Sequence, residues 1–206
     1  IRFMTSHPRD FTEKLARTIA AGKNICEHVH LPVQAGSNRI LKLMNRGYTR
    51  EHYLQLVEML RDYQPDCALS TDIIVGFPGE TEKDFEDTLD LVDKVSYDAA
   101  FTFLYSRRSG TPAAEMPNQI SNKTKKERFQ RLLDLQNKHS LHHNEKLVGQ
   151  KVEVLVEGPS KTDPSVFTGR TRSNKTVNFT GENITRGKLL TVEITEARTW
   201  SLLGRS

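Results

Sequence analysis

The sequence predicts an α/β fold of parallel strands followed by a small antiparallel β-barrel. Three observations carry this. Apolar, β-branched runs such as Ile73-Ile74-Val75 alternate with amphipathic helical stretches through the first two thirds of the chain. Each run ends in a polar or Gly/Pro turn: Ser6-His7-Pro8, Gln34-Ala35-Gly36-Ser37, Gly76–Glu80 and Ser106–Thr111. After Gly149 the texture changes to short alternating strands divided by Gly, Pro and Asn.

Taken in order, Ile1–Thr5 reads as a short strand, and Pro8 holds His7 extended at its tip. Asp10 or Thr12 opens a helix to about Ala21, with Phe11, Leu15 and Ile19 on one face, and Gly22 closes it. His28–Val33 is the second strand. Ser37 or Asn38 caps the next helix, whose apolar side is Ile40, Leu41 and Met44 and which ends at Asn45-Arg46-Gly47. Thr49 caps another, with Tyr53, Leu56, Val57 and Leu60 inward, and Pro65 stops it. The third strand carries the unalternating run Ile73-Ile74-Val75, which predicts cover on both faces. Thr81 caps a helix with Phe85, Leu89 and Val92 inward; its acidic run, Asp84 included, reads as a solvated face. Asp98–Tyr105 is the fourth strand.

From Ser121 to about Leu147 a long basic helix follows. Phe129, Leu132, Leu133 and Leu135 pack, while Lys123, Lys125, Lys126, Arg128 and Arg131 mostly point outward. His139, His142 and His143 read as exposed helix histidines, not zinc ligands, because no fourth ligand is near. Strands at Lys151–Glu157, Phe167–Thr171, Thr176–Phe179 and Leu189–Thr195 build the barrel. The expected domains are residues 1–143 and 144–206.

The chain has 206 residues, 36% of them hydrophobic, and no apolar run approaches the roughly 18 residues of a membrane span. No secretory signal is visible. It opens on Ile1-Arg2-Phe3-Met4 without an initiator methionine, and is expected to be a segment of a longer protein. Cys26 and Cys67 belong to no CxxC pattern and read as free thiols, consistent with a reducing cytoplasm. Residues 1–120 hold 14 Lys/Arg against 17 Asp/Glu, and residues 121–206 hold 16 against 9. A basic C-terminal third points to a polyanionic partner. Arg170, Arg172, Asn174, Lys175 and Asn178 sit on or beside the central hairpin of the barrel, near Phe167 and Phe179. That mixture suits single-stranded or looped RNA, with each Phe read as core.

Parallel strands bring their four following turns to one face, where ligands bind. Gln34 is a neutral donor and acceptor at a strand tip. Asp72 lies in an apolar strand and needs a partner, either a ligand group or a Lys or Arg. Arg46 suits a carboxylate, or the end of its own helix. Ser6, His7, Ser37, Gly76 and Glu80 share this face, with Arg107 and Arg108 placed for a phosphate at its mouth.

Several stretches carry a family resemblance: H-L-P-V-Q-A-G-S (30–37), M-N-R-G-Y-T (44–49), S-T-D-I-I-V-G-F-P-G-E-T (70–81) and S-R-R-S-G-T-P-A-A (106–114). They resemble the radical S-adenosylmethionine methylthiotransferases. V-E-V-L-V-E-G (152–158) and G-R-T-R-S-N-K-T-V-N-F (169–179) look like their TRAM module. The resemblance implies a partial (β/α) barrel, strands three to six of a radical SAM half-barrel, followed by an OB-like TRAM barrel that binds RNA. It implies S-adenosylmethionine cleaved at a [4Fe-4S] cluster, a second auxiliary [4Fe-4S] cluster and an electron donor. The implied substrate is tRNA, held by its anticodon stem-loop and methylthiolated at C2 of an N6-modified adenosine. It puts Ser6, His7, Gln34, Ser37, Arg46, Asp72, Gly76 and Glu80 around the S-adenosylmethionine. It puts Arg107, Arg108, Arg170, Arg172, Asn174, Lys175 and Asn178 against RNA. The family's CxxxCxxC loop and its three N-terminal cysteines have no counterpart here. No catalytic residue or metal ligand is therefore assigned to these residues, and alone they are expected to be inactive. The wording most resembles the branch making 2-methylthio-N6-dimethylallyladenosine. The branches acting on ribosomal protein S12 or on threonylcarbamoyladenosine tRNA are alternatives. A non-catalytic RNA-binding protein with an α/β scaffold is an alternative of another class.

Overall fold

The structure, a computed structural model, describes residues 1–3, 6–161 and 163–206. A 3-10 turn, Pro8–Asp10, leads into α1 (Glu13–Ala21), capped by the Thr12 hydroxyl, which accepts from the Leu15 N–H. β1 (His28–His30), α2 (Asn38–Leu43), α3 (Arg50–Tyr63), β2 (Ala68–Val75), α4 (Glu82–Val95) and β3 (Ala99–Leu104) follow. The short α5 (Pro112–Glu115) precedes the long α6 (Asn122–Glu145). Among the described residues the sheet has three parallel strands in the order β1-β2-β3. Ile1–Phe3 form no strand, and the rest of that expected element, Met4 and Thr5, lies outside the described residues.

The register separates the two faces of the sheet. Val29 and Leu69, Thr71 and Ala100, and Ile73 and Thr102 pair on one face, most of them buried in a core shared with Phe11, Tyr53, Leu60, Phe85, Tyr97 and Leu132. On the other face His30, Ser70 and Ala99 form one row, Asp72 and Phe101 the next, and Ile74 and Phe103 the last. Phe101 and Phe103 are exposed and Ile74 is half-buried. The expectation of cover on both faces is therefore corrected, because the apolar core shared with the helices lies on one side only.

The barrel closes in the order β4-β5-β6-β8-β7, from β4 (Lys151–Pro159), β5 (Phe167–Thr171), β6 (Thr176–Thr180), β7 (Leu189–Ala197) and β8 (Leu202–Arg205). β8 is too short and glycine-broken to show in the sequence. Gly204 is required there because a Cβ would sit 2.6 Å from the Glu193 carbonyl oxygen. Val154, Val156, Val177, Phe179, Val192, Ile194 and Leu202 fill the interior, with Phe167 packed against them.

α6 corrects the reading of the basic helix at Lys125 and Arg128, while Lys123, Lys126 and Arg131 are exposed as expected. Its buried stripe runs Lys125, Arg128, Leu132, Gln136, Ser140, Asn144, at helical spacing but mostly polar. Lys125 is 8% and Arg128 6% exposed. The Lys125 ammonium donates to the Tyr105 carbonyl at 2.9 Å, and burial followed by the nearby Arg107 charge lowers its pKa. Arg128 donates to the Glu80 carboxylate at 2.8 Å and to Glu82 at 3.1 Å. Farther along, Gln136 donates to the Tyr97 carbonyl and Ser140 to the Asp98 carbonyl, both at 2.9 Å. Asn144 donates to the Arg198 carbonyl in the barrel at 2.7 Å. Of the three histidines His142 is exposed as expected, but His139 Nδ1 and His143 Nε2 lie 3.0 and 3.1 Å from the Ser96 hydroxyl, which sits at the left-handed end of α4.

Removing one member of a buried, hydrogen-bonded ion pair leaves the other charge uncompensated. Arg128→Met is expected to cost about 3–5 kcal/mol in urea unfolding. Adding Glu80→Gln should recover a substantial part of that loss, and a double variant no better than the single one would show that the pair is not the source.

Candidate functional site

Three described turns gather at the C-terminal ends of the strands. After β1 the chain passes through Gln34, held at φ 70°, a left-handed conformation rare for a residue with a side chain. Gln34 is fixed there by bridging to β2: its N–H donates to the Asp72 carbonyl at 2.8 Å, and its carbonyl accepts from Ile74 at 2.9 Å. Gly36 lies against α4, where a Cβ would sit 2.4 Å from the Asp87 carbonyl oxygen. Ser37 occupies the cap position of α2, but its hydroxyl donates to Asp84 at 2.6 Å instead of capping the helix. Asp84 is buried, which corrects its placement on a solvated face. Desolvation works against its charge, yet bonds from Arg39, Ser37 and Thr81 outweigh that and hold its pKa well below the usual carboxylate range.

After β2, Gly76 at φ 78° donates its N–H to both Glu80 oxygens at 3.1 Å. Burial raises the Glu80 pKa, against the opposing pull of the Gly76 N–H and Arg128. Glu80 therefore shapes the turn and is fully engaged by it. After β3, Arg107 and Arg108 stand exposed, with no ion-pair partner among the described residues. Ser6 joins the group through its N–H, which donates to the His30 carbonyl at 3.1 Å. The His7 ring lies edge-on to Tyr48 at 5.6 Å, and Tyr48 donates to the Val33 carbonyl at 3.0 Å. Arg46, just past α2, has a buried Nε without a partner and no ion pair among the described residues.

On the open face of the sheet a polar chain runs toward the opposite end. Among the described residues Asp72 finds neither Lys nor Arg; its Oδ1 lies 3.3 Å from His30 Nε2. His30 Nδ1 lies 2.9 Å from the Ser70 hydroxyl, and the same oxygen lies 2.9 Å from His28 Nε2. The single hydroxyl proton sets the direction. The carboxylate favours the His30 proton on Nε2, so Nδ1 accepts from Ser70, whose oxygen accepts from His28 Nε2–H. His28 Nδ1 is left a bare, buried acceptor without a partner among the described residues. The H-V-H spacing of 28–30 puts both imidazoles on one strand face, a signal in the sequence to which no role was attached.

The barrel docks on the N-terminal ends of the strands, away from the turns. Arg172 binds Glu27, just before β1, with Nη2 at 2.6 Å from the carboxylate, and also donates to the Ile25 carbonyl at 2.7 Å. Lys175 binds Asp98, just before β3, at 2.7 Å. Both charges thus serve the domain joint. Arg170 lies 3.5 Å from Glu157 and donates to the Asn174 carbonyl at 3.3 Å, with Asn174 at φ 65° in the hairpin turn. The Asn178 side chain accepts from Thr168 at 2.8 Å. Cys26 and Cys67 also precede β1 and β2, far from the turns, and burial pushes the Cys67 thiol up to about 12. Among the described residues no three His, Cys, Asp or Glu side chains converge to hold a metal ion.

Burial, then the charges of Arg2 and His30, pull the His28 pKa down from 6.5 to about 4. The unfolded chain thus takes up a proton before the folded one does. Stability is full above about pH 6.5 and falls as pH drops toward 4, by a limiting value of about 3 kcal/mol. His28→Gln should flatten urea-unfolding stability across this window, and an unchanged slope would refute the assignment.

Comparison with known proteins agrees with this architecture. The radical SAM superfamily profile matches residues 1–92, and the TRAM domain profile matches residues 145–206. The tRNA-2-methylthio-N(6)-dimethylallyladenosine synthase of Moorella thermoacetica is 63% identical over 99% of this chain, covering 46% of the relative. That of Alkaliphilus oremlandii is 59% identical over 99% of this chain and 43% of its own. The chain thus spans a little under half the length of these relatives. In three dimensions, the radical SAM enzyme coproporphyrinogen III oxidase of Escherichia coli superposes with a TM-score of 0.55 at 14% identity, over 80% of this chain and 45% of its own. Parallel strands ending in a shared turn face, a docked five-stranded barrel and relatives that align over nearly the whole chain give one assignment: the chain belongs to the radical S-adenosylmethionine methylthiotransferase family.

Proposed function

We propose that these residues serve a tRNA-modifying methylthiotransferase that adds a methylthio group to C2 of an N6-modified adenosine beside the anticodon. The single observation that carries this is 63% identity over 99% of the chain to a synthase of that name. The two-ended geometry supports it, with a cofactor face at one end of the strands and a TRAM barrel at the other.

The unpartnered Arg46 guanidinium fits the carboxylate of S-adenosylmethionine, a planar anion that it binds through two parallel hydrogen bonds. Gln34, Ser6, His7 and Ser37 border the same face; Gly76 and Glu80 form its fixed wall. When bound, S-adenosylmethionine supplies the adenosyl radical and the methyl group. Cys26 and Cys67 lie at the wrong ends of their strands to hold an iron–sulfur cluster beside that face, so both [4Fe-4S] clusters, and the docking of an electron donor, fall to residues outside this chain. Asp72 and His30 face the open side of the sheet, where a substrate base would meet a carboxylate-oriented imidazole. Arg107 and Arg108, exposed and uncommitted, suit RNA phosphates at the mouth of the cofactor face. Asn178, Asn174 and Arg170 suit the RNA on the barrel, while Arg172 and Lys175 reach RNA only by leaving Glu27 and Asp98. A tRNA-directed enzyme of this kind works in the cytoplasm.

An anticodon stem-loop carrying N6-dimethylallyladenosine should bind the protein in fluorescence anisotropy, with affinity falling steeply as salt rises. Absent binding, or binding indifferent to salt, would sink the RNA reading. Arg46→Met should lower S-adenosylmethionine affinity in equilibrium dialysis by about tenfold or more, the scale of a lost charge-assisted pair. Unchanged affinity would remove Arg46 from the cofactor face.

A further inference from the structure

Between the barrel and the N-terminal half of the sheet lies a cavity of about 440 Å³, within the size range of small-ligand pockets. Both domains build it. The sheet contributes His28 and Phe101 from its open face, the hairpin contributes Arg170, and the β7–β8 turn contributes Trp200. Neither aromatic ring is core, since Trp200 is 63% and Phe101 58% exposed.

Trp200 is also held in place. Its turn is closed by the Arg198 N–H donating to the Ser201 carbonyl at 2.8 Å. Asn144 of α6 pins the turn from below, donating to the Arg198 and Thr199 carbonyls at 2.7 and 3.3 Å. A large exposed ring on a pinned backbone loses less freedom when a flat partner covers it than one on a loose loop, which favours a stacking platform. The deep wall is closed: His28 is nine-tenths buried and its Nε2 lies 2.9 Å from the Ser70 hydroxyl, so a ligand finds its contacts toward the rim. At the rim, Arg170 has one ion-pair contact, with Glu157 at 3.5 Å, and one long bond to the Asn174 carbonyl, which leaves Nη2 for an anion.

A flat ring and an attached anion together describe a nucleotide. We infer that the cavity takes one unpaired nucleobase of a bound RNA, stacked on Trp200, with its phosphate facing Arg170. This rests on the RNA-binding reading above and adds a second nucleotide site to it. Ser70 on the cavity wall and Gly76 at the cofactor face are six residues apart on one strand, roughly 20 Å. A base held here therefore anchors the RNA at a distance from the reacting nucleotide.

Trp200 is the sole tryptophan, so its emission reports on the site without any substitution. Titration with a stem-loop RNA should quench Trp200 and shield it from acrylamide, with the midpoint given by anisotropy on the same samples. A blunt duplex of equal length should do neither. Trp200→Ala should weaken loop binding about tenfold, and Trp200→Phe should stay within about threefold of the parent, the range expected of base–aromatic stacking. RNA that binds by anisotropy while Trp200 emission and acrylamide access stay unchanged overturns the cavity site and leaves the RNA reading standing. No anisotropy change overturns both. Quenching by free adenosine monophosphate at the same concentrations as the loop also overturns the inference, since the site would then serve a free nucleotide.

Discussion

The fold depends on a stripe of polar side chains buried along one helix. α6 is 24 residues long, roughly 36 Å at helical rise, and it binds the sheet at both ends. Near its start Lys125 and Arg128 hold the Tyr105 carbonyl and Glu80; near its end Ser140 and Asn144 hold the Asp98 and Arg198 carbonyls. An apolar stripe would have packed the helix without fixing its register. Directional bonds to carbonyls and a carboxylate admit one register, because a shift of one residue leaves buried donors unpaired at a cost of about 1–3 kcal/mol each. The Gly76–Glu80 turn and the anchor of the barrel are thereby set by one rigid element.

That constraint separates two surfaces. The turns after the strands gather at one end, and the barrel is tied to the other by Arg172–Glu27 and Lys175–Asp98. The open face of the sheet joins the ends and carries the chain Asp72, His30, Ser70, His28. On the proposed reading, an RNA held by the barrel crosses this face to reach the cofactor. Its polar lining is directional, with charge at the Asp72 end and a neutral imidazole at the other, so the two ends do not offer a base the same contacts.

Element types and order were legible in the sequence because the apolar positions of α1, α3 and α4 recur at helical spacing and their caps are Thr residues with standard chemistry. The shared turn face was legible from parallel order alone. Partners were less so. Arg128 reads as a surface cation until Glu80 is known to be buried beside it, and Asp84 reads as part of a solvated face until Arg39 and Ser37 arrive from a distant segment. Such pairings join residues some 45 positions apart and leave no local pattern. The sheet's open face was hidden for a different reason: Ile73-Ile74-Val75 is apolar throughout, so the run alone does not disclose that Ile74 faces outward.

The same pairings change what the charge imbalance means. Residues 121–206 hold 16 Lys/Arg against 9 Asp/Glu, which read alone points to a uniformly basic RNA surface. Lys125, Arg128, Arg172 and Lys175 are instead engaged with residues 1–120, and three of the four pair with the carboxylates Glu80, Glu27 and Asp98. Part of the excess is therefore complementary to the acidic residues 1–120 rather than to an external polyanion; Arg172 and Lys175 do this across the joint to the barrel. Charge of opposite sign on the two sides of a joint fixes orientation more than it adds stability, because half-exposed pairs such as Arg172–Glu27 are worth little once salt screens them. Of the cations the resemblance puts against RNA, Arg107 and Arg108 beside the turn face and Arg170 at the rim of the junction cavity are the ones not tied to Glu27 or Asp98. Recognition on such a surface must lean on shape, stacking and a few placed contacts, which is the chemistry of looped rather than double-helical RNA.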